Sequence, residues 1–79
     1  MKKIQFDYNY FKANPNTKLV CRNERLGTLI FLAEKKNIDN YPLVFVNQNG
    51  IIERYTYEGL YLTNKEDQRD IFMLIFSKE

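Results

Sequence analysis

The fold is decided by residues 43–57, which read LVFVNQNGIIERYTY. Two apolar runs flank Asn49 and Gly50, and both of these residues readily adopt the positive φ angles of a tight type I′ hairpin turn. The pattern therefore predicts two antiparallel strands joined by this turn. With Asn49 and Gly50 at the centre of the turn, Val46 faces Glu53 across the pair, and a bulged turn would shift this register by one residue.

The rest of the chain carries several strand signals and few helix signals. A turn cluster at 13–16 follows an aromatic N-terminal arm, residues 1–12, and the polar stretch 23–25 fits a hairpin connection. Only the windows 33–38 and 64–70 have helical character, and each is one or two turns long. The predicted strands are 18–22, 28–33, 43–46, 51–57, a short strand after a turn at 58–61, and 71–77.

These signals predict a mainly β fold. Five or six short strands in 79 residues are typical of a small, strongly curled antiparallel sheet, either an SH3-like or an OB-like barrel, with at most one or two short helical turns. The whole chain, residues 1–79, is expected to form one small domain. A domain of this size buries only about 60 to 65% of the surface of its unfolded chain, so its core is small.

Three of the predicted strands are apolar on both faces, at 29–32, 43–46 and 71–76. A strand with one face in water alternates apolar and polar residues, so something must cover the second face of these strands. One interpretation is intramolecular, with the N-terminal arm or the 64–70 turn lying across it. The other is that a second chain covers it, either in a homodimer or at a docking surface for another protein.

The composition excludes several chemistries. Histidine and tryptophan are absent and Cys21 is the single cysteine, which excludes a disulfide framework, a Cys/His zinc site and histidine acid–base chemistry within one chain. Cys21 lacks an activating base, and the carboxylates Glu66, Asp67 and Asp70 lack the spacing of a calcium loop. No enzyme activity, catalytic residue, cofactor or metal site is predicted.

Binding to a partner is the remaining prediction, and the tyrosines are its candidates. Aromatic side chains and arginines recur in binding hot spots. Tyr55 and Tyr57 are expected on one strand face with Tyr61 nearby, and Tyr8 and Tyr10 on one side of an extended arm. The candidate partner-binding residues are Tyr8, Tyr10, Arg22, Arg25, Tyr55, Tyr57 and Tyr61.

An alternative is a small β-barrel that binds single-stranded nucleic acid, with bases stacking on aromatic rings and cations contacting phosphates. The net charge of +2 argues against it, because nucleic-acid-binding domains usually carry a clear basic excess. Its candidate surface comprises Lys2, Lys3, Tyr8, Tyr10, Lys12, Arg22 and Arg25.

Four stretches resemble short uncharacterised proteins encoded by phages and prophages of gut bacteria: 21–27 (CRNERLG), 41–44 (YPLV), 50–61 (GIIERYTYEGLY) and 70–73 (DIFM). The resemblance covers residues 17–76 and departs at Asn23-Glu24, where those proteins carry an Asp-Gly-like turn. It implies no catalytic mechanism. It implies a small accessory protein that acts by contact, for example by blocking a host enzyme or defence complex.

The location expected from the sequence is the host cytoplasm. The longest apolar run, 71–76, is far shorter than the roughly 20 residues that span a bilayer. Gln5, Asp7 and Asn9 interrupt the stretch that a signal peptide would need to be apolar. No contact with a membrane is predicted.

Overall fold

The computed structural model describes residues 2–36 and 39–75. Within them, six strands form two antiparallel three-stranded sheets, β1–β6–β2 (the first sheet) and β3–β4–β5 (the second sheet). The prediction of a mainly β fold with five or six strands is confirmed. The elements are β1 (Lys2–Gln5), α1 (Tyr8–Ala13), β2 (Lys18–Cys21), a 3-10 helix (Glu24–Leu26), β3 (Leu29–Glu34), β4 (Leu43–Asn47), β5 (Ile52–Tyr55) and β6 (Ile71–Ile75).

The two sheets meet at a single bridge between Val20 and Thr28, and the strand pairings of the described residues do not close into a barrel. The hairpin predicted across 23–25 is thus reduced to one antiparallel bridge, and a 3-10 helix occupies the connection. The side chain of Asn23 accepts a hydrogen bond from the N–H of Arg25 (3.1 Å) and starts the 3-10 helix. Gly27, with φ of +89°, then turns the chain into the second sheet.

The β4–β5 hairpin forms where the sequence predicts it, in the bulged register. Val46 pairs with Ile52 and Phe45 with Glu53, one residue away from the pairing of a two-residue type I′ turn. The N–H of Gly50 donates to the carbonyl of Asn47 (2.9 Å), and Gly50 has φ of +82°. This is a type I turn followed by a left-handed residue, the usual three-residue hairpin loop.

Residues 1–12, predicted as an extended aromatic arm, contain β1 and α1 instead. Asp7 caps α1, since its carboxylate accepts hydrogen bonds from the N–H groups of Asn9 (2.9 Å) and Tyr10 (3.3 Å). Tyr8 and Phe11 lie three residues apart on the helix and both are buried. None of the helices among the described residues is long and apolar enough to span a membrane.

The windows 33–38 and 64–70 contain no helix among their described residues. Ala33 and Glu34 end β3, and residues 37 and 38 lie outside the described residues, as do 76 and 77 of the last predicted strand. Turns and bends fill 64–70, because the buried carboxylate of Asp70 organises this loop. It accepts hydrogen bonds from the N–H groups of Tyr61 (2.9 Å) and Asp67 (3.1 Å).

The core lies between the two sheets and is centred on Phe45 of β4, which is completely buried. The Phe45 ring makes edge-to-face contacts with Phe6, Phe31 and Tyr55, with ring centroids 5.4 to 6.0 Å apart. Phe6 follows β1, so these contacts join the first sheet to the second. Ile71 and Met73 of β6 are buried in the same core.

The backbone at Gly59 lies closer to Phe6 than any larger residue would allow. It has φ of +80°, and a Cβ atom there would lie 2.6 Å from Cβ of Phe6. Its carbonyl also accepts a hydrogen bond from the N–H of Ile71 (2.8 Å), which ties the end of β5 to the start of β6. Gly50 has nearly the same φ but opens onto solvent, so it provides a matched control.

We predict that Gly50→Ala lowers the free energy of unfolding by about 1 to 2 kcal/mol, the cost of a left-handed backbone at alanine. Gly59→Ala should lower it by roughly 3 kcal/mol or more, because the new methyl group also displaces Phe6. Urea denaturation of both variants measures the difference. Equal losses in the two variants would contradict the close packing of Gly59 on Phe6.

Candidate interaction surfaces

The second sheet carries aliphatic side chains on the face that points away from the core. Ile30, Val46 and Ile52 pair across β3, β4 and β5 and form one row on that face. Ile30 is 66% exposed and Ile52 56%, and the bulged residue Leu32 beside them is 50% exposed. We call Ile30, Leu32, Val46 and Ile52 the outer apolar face.

The other end of the same sheet surface is covered. Val44 lies in register between Ala33 and Arg54 and is only 8% exposed. The guanidinium of Arg54 is held by the carbonyl of Tyr41 (3.0 Å) and the carboxylate of Asp39 (2.7 Å). The chain therefore covers one end of this surface with its own polar side chains and leaves the outer apolar face in water.

The first sheet covers its outward surface differently. Phe72 of β6 lies between two cations, with Nζ of Lys3 5.1 Å and the guanidinium carbon of Arg22 4.8 Å from its ring centroid. Lys18 shares this face, because both Lys3 and Lys18 pair with Leu74. We call Lys3, Lys18, Arg22 and Phe72 the basic face.

Two of the cations of the basic face already have acidic partners. Lys3 pairs with Glu24 (3.0 Å), and Arg22 pairs with the buried carboxylate of Asp70 (3.1 Å). Both pairs reduce the positive potential that this face presents. The aliphatic stems of lysine and arginine also shield apolar surface, which accounts for the partial burial of Phe72.

A third feature brings together two predicted tyrosines from distant parts of the chain. The hydroxyls of Tyr8 and Tyr57 both donate to the carboxylate of Glu34, at 3.1 and 2.6 Å, and their rings are 5.6 Å apart. The hydrogen bond from Tyr57 is the largest effect on the pKa of Glu34 and lowers it; burial opposes this, and the hydrogen bond from Tyr8 lowers the pKa further. The pKa of Tyr8 is raised to about 12; burial is the largest cause and the hydrogen bond to Glu34 is the next.

The remaining tyrosines do not form the predicted patches. Tyr55 is completely buried and donates to Glu53 (2.9 Å), while Tyr61 packs against its ring with centroids 5.7 Å apart. Tyr57 lies beyond the end of β5 and so does not share a strand face with Tyr55. Tyr10 is exposed on α1, away from the buried helix face that holds Tyr8.

The predicted cations are also distributed over several surfaces. Arg22 belongs to the basic face, whereas Arg25 is exposed on the 3-10 helix. Lys12 lies over the ring of Tyr8 at 5.0 Å. Lys12 therefore does lie beside Tyr8, but Arg22 and Arg25 are on other parts of the surface, so the predicted residues do not form one stacking surface.

Cys21 is 3% exposed, and burial raises the pKa of its thiol, which makes it a weak nucleophile. Asp67 and Asp70 hold loop N–H groups. Within 2–36 and 39–75, no three or more acidic or cysteine side chains are grouped so that they could hold a metal ion.

Sequence reasoning identified the apolar run 29–32 but did not single out Ile30, Leu32 or Ile52 as surface residues. Which side of a strand faces water depends on register, and the turn at Gly50 left two registers open. The alternation of Ile30 with the aromatic Phe31 was the available signal, because the larger ring is the better candidate for the core.

The tyrosine cluster predicts a characteristic alkaline titration. Unfolded tyrosine ionises near pH 10, so the stabilising contribution of Tyr8 is complete below about pH 10 and is lost as the pH rises through about 12. The free energy of unfolding should fall over this range, and fall less in Tyr8→Phe. Urea denaturation at several pH values measures both.

Glu34→Gln should lower the pKa of Tyr57 more than that of Tyr8. The hydrogen bond to Glu34 is the largest cause of the raised pKa of Tyr57, whereas burial is the largest cause for Tyr8. Tyrosinate absorbance follows the two ionisations, with Tyr8→Phe and Tyr57→Phe assigning them. An unchanged titration curve in Glu34→Gln would contradict the cluster.

Two surfaces are thus candidates for binding a partner. The outer apolar face presents aliphatic side chains with no charge in its central row. The basic face presents two cations over one aromatic ring, with Lys18 on the same face. Comparison of the chain with known protein families, with curated proteins and with solved structures found no match.

Proposed function

We propose that this protein acts without catalysis, by binding another protein through the outer apolar face. The observation that carries the proposal is the exposure of Ile30, Leu32 and Ile52, each at least half accessible, at neighbouring positions of one sheet face. A contiguous apolar patch on a small domain is typical of a protein-binding site.

The apolar side chains alone do not account for a stable complex. Complete burial of an aliphatic side chain contributes roughly 1.5 to 3 kcal/mol, and these three side chains are already partly buried. Docking on this face would therefore gain about 3 to 4 kcal/mol from them, less than the gross gain that a stable complex needs. The partner must also contact the polar surroundings of the face, where Arg54 and Asp39 form an ion pair.

The partner class comes from the resemblance to phage and prophage proteins. We propose that the chain is an accessory protein of a phage or mobile element, that it works in the cytoplasm of the host cell, and that it blocks a host enzyme or a defence complex. The absence of an activated nucleophile at Cys21 supports inhibition by contact rather than by chemistry.

The double variant Ile30→Thr/Ile52→Thr tests the proposal. Threonine keeps the β-branched shape that suits a strand and removes apolar surface, so the variant should fold normally. A partner captured from host lysate with the native protein is purified, and its affinity for each variant is measured. We expect a loss of roughly 10-fold or more in the double variant.

Lys18→Thr is the matched control, because it places the same residue on the basic face of the first sheet. It should bind the partner with native affinity. A partner that binds the double variant as tightly as the native protein, or that is lost with Lys18→Thr, would contradict docking on the outer apolar face. Failure to capture any partner would also count against the proposal.

The basic face supports a second candidate function, binding of single-stranded nucleic acid. Phe72 has Lys3 and Arg22 over its ring, and Lys18 pairs with Leu74 on the same face, so an aromatic ring is combined with three potential phosphate contacts. The acidic partners of Lys3 and Arg22 weigh against it, so we place it second.

Fluorescence anisotropy with mixed-sequence oligonucleotides distinguishes the two functions. Three phosphate contacts predict a slope of about −2 when the logarithm of affinity is plotted against that of salt concentration. Lys18→Thr should reduce the slope by about 0.7, and the Ile30→Thr/Ile52→Thr variant should leave it unchanged. Affinity no better than about millimolar at low salt would eliminate nucleic-acid binding, since even non-specific binders bind more tightly than this.

A further inference from the structure

The strand β5 has an open edge. It is the last strand of the second sheet and pairs only with β4. The N–H of Asn47 donates to the carbonyl of Ile51 (3.0 Å), and by the alternation of an antiparallel ladder Glu53 and Tyr55 also face β4. The N–H and C=O groups of Ile52 and Arg54 therefore point away from the sheet, and no described residue forms a main-chain hydrogen bond with them.

The two sheets have four edge strands, β1 and β2 in the first sheet and β3 and β5 in the second. β2 and β3 approach each other at the Val20–Thr28 bridge, whereas β1 and β5 each pair on one side only. β1, at the end of the first sheet, carries Lys2 and Lys3, and edge lysines hinder pairing with another strand. β5 has no lysine, and Ile51 and Ile52 beside its edge are 58% and 56% exposed. A row of unpaired main-chain donors and acceptors next to aliphatic side chains fits another β-strand.

We propose that a second copy of this chain adds its β5 to this edge, antiparallel, with the two-fold axis at Ile52. The N–H of each Ile52 donates to the carbonyl of the partner's Ile52, and the N–H of Arg54 faces the partner's Gly50. The occupant is a second copy because the row Ile30–Val46–Ile52 then continues into the same row of the partner. The result is a six-stranded sheet with one uninterrupted apolar row.

Like charges disfavour two of the neighbouring registers. With Glu53 on the axis, two carboxylates would face each other, and with Arg54 on the axis two guanidinium groups would do so; like charges directly opposite are destabilising. With Ile52 on the axis, Glu53 faces the partner's Ile51 and an aliphatic pair occupies the centre. The dimer joins two copies of the outer apolar face into one surface. Its formation does not require the partner binding proposed for that face.

Sedimentation equilibrium across the micromolar range tests the proposal. The native protein should dimerise, and Ile52→Pro should raise the dimer dissociation constant roughly 30-fold or more, because each copy loses the outward N–H that pairs at the axis. The β4–β5 ladder does not use that N–H, so the variant should remain folded. Ile30→Thr, on the far strand of the same face, should dimerise normally.

Amide hydrogen exchange of the native protein gives a readout that does not depend on a variant folding. The N–H of Ile52 should exchange fast in dilute solution and become protected at high concentration, while that of Glu53 stays protected throughout. A strictly monomeric native protein, an Ile52 amide that is insensitive to concentration, or dimers that survive Ile52→Pro would overturn the proposal. Dissociation by Ile30→Thr would do so too, in favour of face-to-face packing.

These readouts are independent of the partner-binding assay. A monomeric protein that still binds its partner through Ile30 and Ile52 would reject the dimer and retain the proposed function. A dimer for which no partner is captured would retain the dimer proposal and reject the proposed function.

Discussion

The whole structure depends on the packing of Phe45 against rings from both sheets. Its edge-to-face contacts with Phe6, Phe31 and Tyr55 leave it with no exposed surface. A chain of 79 residues has material for one such interior, so each sheet has only one face inside it. The surface that is available to a partner therefore depends on which side chains cover the two outward faces.

One outward face is shielded by the chain's own side chains, and the other is largely exposed. On the first sheet, lysine and arginine side chains gather around Phe72, so apolar surface is shielded within the chain. On the second sheet, Arg54 faces Val44 at one end, while Ile30 and Ile52 stay exposed. The sequence left two alternatives for strands that are apolar on both sides, cover by the N-terminal arm or the 64–70 turn and cover by a second chain. On the first sheet the cover is intramolecular but comes from Lys3 and Arg22, and for the second sheet cover by another chain stays a proposal.

Local signals predicted β2 to β6 and the β4–β5 hairpin, because residues such as Gly50 and the apolar run 43–46 fix backbone geometry on their own. They did not predict β1, and the short strand predicted after the turn at 58–61 does not form. Features that depend on distant contacts were missed. The carboxylate of Asp70 organises a loop whose N–H groups come from elsewhere in the chain, and the meeting of Tyr8 with Tyr57 requires both sheets to be assembled. The helix α1 was also missed, although its signal is local: Asp7 is a helix cap, and Tyr8 and Phe11 follow it three residues apart.

Both proposals require that the outer apolar face is in water when the chain is alone. Methyl NMR of dilute protein with a soluble paramagnetic probe measures this exposure. We expect strong broadening of the methyl signals of Ile30 and Ile52 and little effect on Leu43, which is completely buried. Signals of Ile30 and Ile52 as protected as those of Leu43 would show instead that the chain covers this face itself.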